Sequence, residues 1–119
     1  MYMADYGNPD TIGHRRWILA NTTGPVGVGS TSSFSCLVVL TGTGTASEPW
    51  LAWPPPGPIP LEAVAMLDYT GWTIQSDFID LSAASATITT SDGMARNVNI
   101  VQLWGGYGYM NEYRVARAW

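Results

Sequence analysis

Five of the seven residues from 54 to 60 are proline, in the run Pro54-Pro55-Pro56-Gly57-Pro58-Ile59-Pro60, and this segment limits the fold more than any other. Proline has a fixed φ and no backbone donor, so the run can be neither a helix interior nor a central strand. It is predicted to cross the surface in extended form and to separate residues 1–60 from residues 61–119. No basic residue flanks it, which favours a rigid connector over a polyproline ligand for an aromatic-grooved partner.

Upstream of the run, one segment reads as a helix. In Asn8-Pro9-Asp10-Thr11-Ile12-Gly13-His14-Arg15-Arg16-Trp17-Ile18-Leu19-Ala20, Asn8 is a cap, Pro9 suits the first helical position and Asp10 complements the dipole. Asn21-Thr22-Thr23-Gly24-Pro25 stops it. Strands follow: a short one around Val26 and Val28, a longer one over Phe34 to Thr41, and a third over Trp50 to Trp53.

Downstream, Gly71 to Ser76 reads as a strand, and Ala84 to Thr90 and Ala95 to Trp104 flank Ser91-Asp92-Gly93-Met94, an Asp-Gly hairpin signal. The apolar phase changes between Ile100 and Val101, which predicts a β-bulge near residue 100. After Gly105-Gly106-Tyr107-Gly108-Tyr109, alternation from Tyr113 to Trp119 predicts a last strand. The expected class is β-rich α+β: one short N-terminal helix, antiparallel strands, and a C-terminal β-hairpin region.

Charge narrows the partners. All five basic residues are Arg, Lys is absent and the net charge is -4, so nothing matches a phosphate backbone and nucleic acid is excluded. The longest aliphatic run is Leu37 to Leu40, far short of the roughly 20 apolar residues of a spanning helix, so no membrane span is expected. Apolar residues at 46% with 12% charged predict a folded, soluble chain, any export signal lying outside this sequence. The single Cys36, between apolar neighbours, is expected to be buried, and no intrachain disulfide or thiolate zinc cluster can form.

No nucleophile elbow, phosphate loop or zincin motif is present, which argues against a complete enzyme. His14 is the only histidine, and one imidazole does not hold a catalytic zinc, which takes three protein ligands; Asp10, four residues earlier, is within reach across one turn, and the expected role of His14 is structural, packing and hydrogen bonding at the helix start. Asp77 and Asp80 read as a solvated turn rather than a catalytic carboxylate pair. Trp17, Trp72 and Trp104 are expected in the core, and Trp50, Trp53, Tyr107 and Tyr109 are the candidate ligand-stacking faces. Asn21-Thr22-Thr23 fits the N-glycosylation acceptor pattern.

Two stretches in order resemble the CAP or SCP-like superfamily, that of cysteine-rich secretory proteins, antigen 5 and pathogenesis-related 1, in its bacterial form. They are Gly13-His14-Arg15-Arg16-Trp17-Ile18-Leu19 followed by Val26-Gly27-Val28-Gly29, and Trp53-Pro54-Pro55-Pro56-Gly57. Trp72 in a strand, an Ala-x-Ala-Thr-Ile-Thr strand and an aromatic-rich last strand extend the likeness across residues 8 to 119. Arg15 and Arg16 stand where the usual signature has Tyr/Phe-Thr-Gln.

The resemblance implies the C-terminal portion of an α/β/α sandwich, with residues 1–60 as the C-terminal half of the CAP-like domain and residues 61–119 as a β-rich extension packed on it. It implies a secreted, extracellular binding or structural module for lipid or sterol, wall glycan or a protein partner. The family's cavity is framed by two His and two Glu, of which only His14 carries over. Its divalent metal is expected only if upstream helices supply the rest, and no other cofactor is. Those helices are absent, as if the chain were a fragment, which predicts a bare apolar sheet face and self-association. Two alternatives stay open: part of a His/Glu-cavity hydrolase in a longer parent protein, and a carbohydrate-binding β-module with an aromatic platform.

Overall fold

Backbone pairing sorts the strands into three antiparallel groups in this computed structural model, which describes residues 2–45, 48–65, 70–107 and 116–118. The elements run α1 (Gly13–Ile18), β1 (Gly27–Ser30), β2 (Ser35–Val38), β3 (Leu51–Trp53), α2 (Leu61–Ala65), β4 (Trp72–Gln75), β5 (Thr87–Thr89), β6 (Ala95–Asn97), β7 (Ile100–Gln102) and β8 (Ala116–Ala118). Short strands in antiparallel pairs with few short helices make this a β-rich α+β fold. No described helix is long and apolar enough to cross a membrane.

β1 and β2 form a hairpin in which Gly27 faces Val38 and Ser30 faces Ser35. Its turn is closed by Thr31, whose N–H donates to Phe34 O at 2.7 Å and whose Oγ1 accepts from Phe34 N at 3.0 Å. A four-stranded sheet has the order β3-β4-β8-β7. β3 precedes the proline run and β4 follows it, so this sheet joins the two sides of residue 60. The prolines at 55, 56, 58 and 60 are exposed, as an extended surface segment requires, and the short α2, which the sequence did not suggest, begins directly after them.

The Asp-Gly hairpin is present as β5 and β6, with Thr89 facing Ala95. Gly93 takes φ 78°, a conformation that glycine adopts without a Cβ penalty. Asp92 organises the turn: its carboxylate accepts from the Thr90 hydroxyl, from Met94 N at 2.9 Å and from Arg96 Nη2 at 2.9 Å. The phase change near residue 100 is a break rather than a bulge. β6 ends at Asn97, and β7 restarts at Ile100 to pair with β8 in the larger sheet. Changing sheets turns the chain, so the alternation resets.

The buried interior is largely polar among the described residues. Ile12 and Leu103 form its apolar nucleus, while Arg15, Arg16, Gln75, Thr70, Thr73 and Ser76 are all at most 6% exposed. Two expectations about tryptophan fail. In β4, Thr73 and Gln75 face inward, Thr73 Oγ1 accepting from Arg15 Nη1 at 3.5 Å; alternation turns Trp72 outward, 45% exposed. Leu103 takes the inward position, leaving Trp104 70% exposed, with only its carbonyl accepting from Arg16 Nη1. Trp17 is half-buried.

Cys36 is exposed, not buried, because the β1–β2 hairpin is two-stranded and nothing described covers it. The same hairpin exposes Val28, Phe34, Val38 and Leu40.

Candidate functional site

The helix is shorter at its start than the sequence suggests, and the reason creates the site. Asn8 does not cap it. Residues 8–12 form turns in which Asn8 O accepts from Thr11 N and from Ile12 N, and Ile12 adopts the left-handed conformation, φ 47° and ψ 43°. Ile12 has no side chain able to accept from the first helical N–H groups. Asp5, at φ 51°, reaches across instead, and its Oδ2 accepts from His14 N at 2.8 Å and from Arg15 N at 3.5 Å.

The other oxygen of Asp5 meets the imidazole. Oδ1 lies 2.7 Å from His14 Nδ1 and also accepts from Asn8 Nδ2 at 2.8 Å. A carboxylate only accepts, so Nδ1 carries a ring proton, and Nε2, the acceptor nitrogen of the neutral ring, has no described bonding partner. Asn8 Nδ2 sits 3.2 Å from Nδ1, two donors converging on one oxygen. The Asp5 side chain is 2% exposed and that of His14 56%, so a buried anion orients an accessible ring. Tyr2 lies against the ring at 5.5 Å between centroids and a 53° tilt. Asp10, within reach by helical spacing, is exposed and plays no part in this contact.

Arg15 fixes the platform. Its guanidinium and Nε donate to Met3 O at 2.5 Å, Gly71 O at 2.9 Å and Thr70 Oγ1 at 2.6 Å, and Thr70 Oγ1 donates onward to Ala4 O at 2.6 Å. The residues flanking Asp5 are thereby tied to α1 and to the start of β4. Burial pushes the guanidinium down to about 10, and the charge of Asp5 draws it partly back up.

His14 borders an apolar cavity of about 350 Å³ whose other walls are Tyr2, Trp17, Ile18, Leu37, Val38, Val39 and Leu40. Helix α1 supplies one side and β2 with the residues after it the other. His14 is the one group in this lining that offers a nitrogen lone pair.

The remaining candidates lie elsewhere. Trp50, 40% exposed, lines a groove of about 350 Å³ with Glu48, Pro49, Leu51, Ala52, Pro55 and Pro56. Trp53 lines a different cavity of about 250 Å³ with Pro54, Trp72, Ile74, Leu81 and Ile100. Tyr107 packs under Arg16, 5.4 Å from the guanidinium carbon to the ring centre, and lies so close to Gly13 that a Cβ there would sit 2.8 Å from its ring. Tyr109 falls outside the described residues.

Asp77 differs from the expected solvated turn: it is half-buried, and burial holds its carboxyl above the usual range, with the Asn21 side chain drawing it partly back. Asn21, of the glycosylation pattern, is 7% exposed, and its amide donates to Glu48 O at 3.2 Å. Among the described residues, no three His, Cys, Asp or Glu side chains gather to hold a metal. Comparison of the chain with protein-family models, curated proteins and solved structures finds no match.

Proposed function

We propose that this chain is a secreted, CAP-like binding module that takes an apolar ligand with one polar end, of the lipid or sterol type, in the cavity beside His14. One observation carries the reading: a single oriented imidazole stands at the wall of an otherwise apolar cavity. Such a lining suits a ligand that buries hydrocarbon and presents one polar group. The order of the Gly13-His14 helix start, the Val26-Gly27-Val28-Gly29 segment and the Trp53-Pro54-Pro55-Pro56-Gly57 segment supports the family reading. The exposed apolar hairpin supports a further role in meeting a protein partner or a second copy.

A second reading is favoured by the Asp5 and His14 contact alone. A buried carboxylate that fixes the tautomer of an exposed imidazole is the orienting half of a general base, and in a longer parent protein it would serve a hydrolase. Trp50 supports the glycan alternative only as a single exposed face.

Tryptophan emission separates these readings. Titration with a sterol or long-chain lipid is expected to shift the emission of Trp17, and Trp17→Phe to abolish that signal. A shift with oligosaccharide that survives Trp17→Phe, together with no response to lipid, would move the site to Trp50 or Trp53. Hydrolysis of an ester ligand that stops in His14→Ala would favour the second reading.

A further inference from the structure

Asn21 and Asp77 lie far apart in sequence, one following α1 and the other following β4, and the strap at Glu48 and Pro49 passes by both. Asn21 Nδ2 donates to Glu48 O at 3.2 Å, and Ser76 Oγ donates to Pro49 O at 2.5 Å. The Asp77 side chain is within hydrogen-bonding reach of Asn21. Yet Asn21 Oδ1 and Asp77 Oδ1 are both buried and both lack a donor among the described residues.

Two such acceptors are costly, because each has lost water without gaining a donor. An ionised carboxylate cannot help, since it has no proton to give. A protonated one can, because a carboxylic acid and a primary amide pair through two complementary hydrogen bonds. We propose that Asn21 and Asp77 form a proton-operated latch, in which the protonated Asp77 carboxyl donates to Asn21 Oδ1 and clamps the residue 77–82 segment and the Glu48-Pro49 strap against the turn after α1.

The surroundings fit that sense of operation. Burial, the larger influence, raises the Asp77 carboxyl above its ordinary value, and the Asn21 side chain opposes this; no charged side chain contributes. Glu48 meets the pair through its backbone oxygen and its residue is exposed, and Asp80 on the same segment accepts from Ser82 N at 2.9 Å. A carboxyl raised in the folded state stabilises below its unfolded value, and that contribution is lost as pH rises through the folded value. The latch is therefore closed in acid and released toward neutrality. Because the strap leads into the Trp50 groove, release acts on that groove.

The test compares the urea midpoints of the native chain and Asp77→Asn at about pH 4 and about pH 7. The amide introduced by this substitution keeps a permanent donor for Asn21 Oδ1, so the variant is expected to lose the native chain's drop in midpoint between the two conditions. A variant with the same drop as the native chain would overturn the proposal. Should the variant not fold, carboxyl-carbon NMR of the native chain decides: Asp77 is expected to titrate above 3.8, and a midpoint at or below it would overturn the latch.

Discussion

Asp5 holds His14 by two bonds at once, one carboxylate oxygen on the backbone N–H and the other on the ring Nδ1, at 2.8 and 2.7 Å. Helix initiation and ring orientation are thus a single arrangement. A change that loosens the start of α1 also loosens the imidazole at the cavity wall.

Asp5→Ala is accordingly expected to destabilise the chain by about 2–3 kcal/mol, the combined scale of a lost cap and a lost charge-assisted bond from a buried group. His14→Ala, at a half-exposed ring, is expected to lose about 1 kcal/mol or less. Urea unfolding of the two variants measures both; equal losses would show that the ring, not the cap, carries the stability.

Much of the fold was legible because local chemistry dictates it. Asp92 and Gly93 can close only a tight hairpin, and the prolines after Trp53 can only leave the sheet. The site was not legible for a geometric reason. Asp5 stands nine residues from His14, a separation that matches no helical or strand period, and it is brought near only by left-handed turns at Asp5 and Ile12. The Trp72 expectation failed because no sequence pattern announces that Arg15 will be buried and will take Thr73 as an inward neighbour, and the Trp104 expectation failed because Leu103 occupies the inward position.

Arg15→Met is expected to lose about 3 kcal/mol or more, since Met3 O, Gly71 O and Thr70 lose one shared donor group while buried. Arg15→Lys is not expected to rescue it, because an ammonium cannot reproduce the guanidinium fork. Thermal unfolding of both variants checks this; a stable Lys variant would mean the site needs charge and not geometry.

The β5–β6 turn should respond to acid in the opposite sense to Asp77. The Thr90 hydroxyl and the Met94 N–H hold the Asp92 carboxyl below its ordinary range. Its contribution is therefore present above the unfolded value and lost as pH falls through the folded value. The protection of the Met94 amide, the slowing of its exchange relative to an unstructured peptide at the same pH, is expected to fall on acidification in the native chain, and Asp92→Asn to remove that dependence. Protection that does not change with pH in the native chain would contradict the assignment.

Phe34→Ser and Val28→Thr change residues that are 81% and 75% exposed, so stability is expected to stay within about 0.5 kcal/mol. Binding of a hydrophobic dye, and association measured by sedimentation, should fall. Loss of stability with unchanged dye binding would show that the hairpin is covered in solution.

NMR mapping of a bound lipid probes the cavity beside His14 in the native chain. Adding a sterol or long-chain lipid to the native chain is predicted to shift the His14 ring, the Trp17 indole and the methyl groups of Leu37 to Leu40, in a saturable way. Shifts confined to Trp50 and Trp53, or no shifts with any apolar ligand, would contradict it.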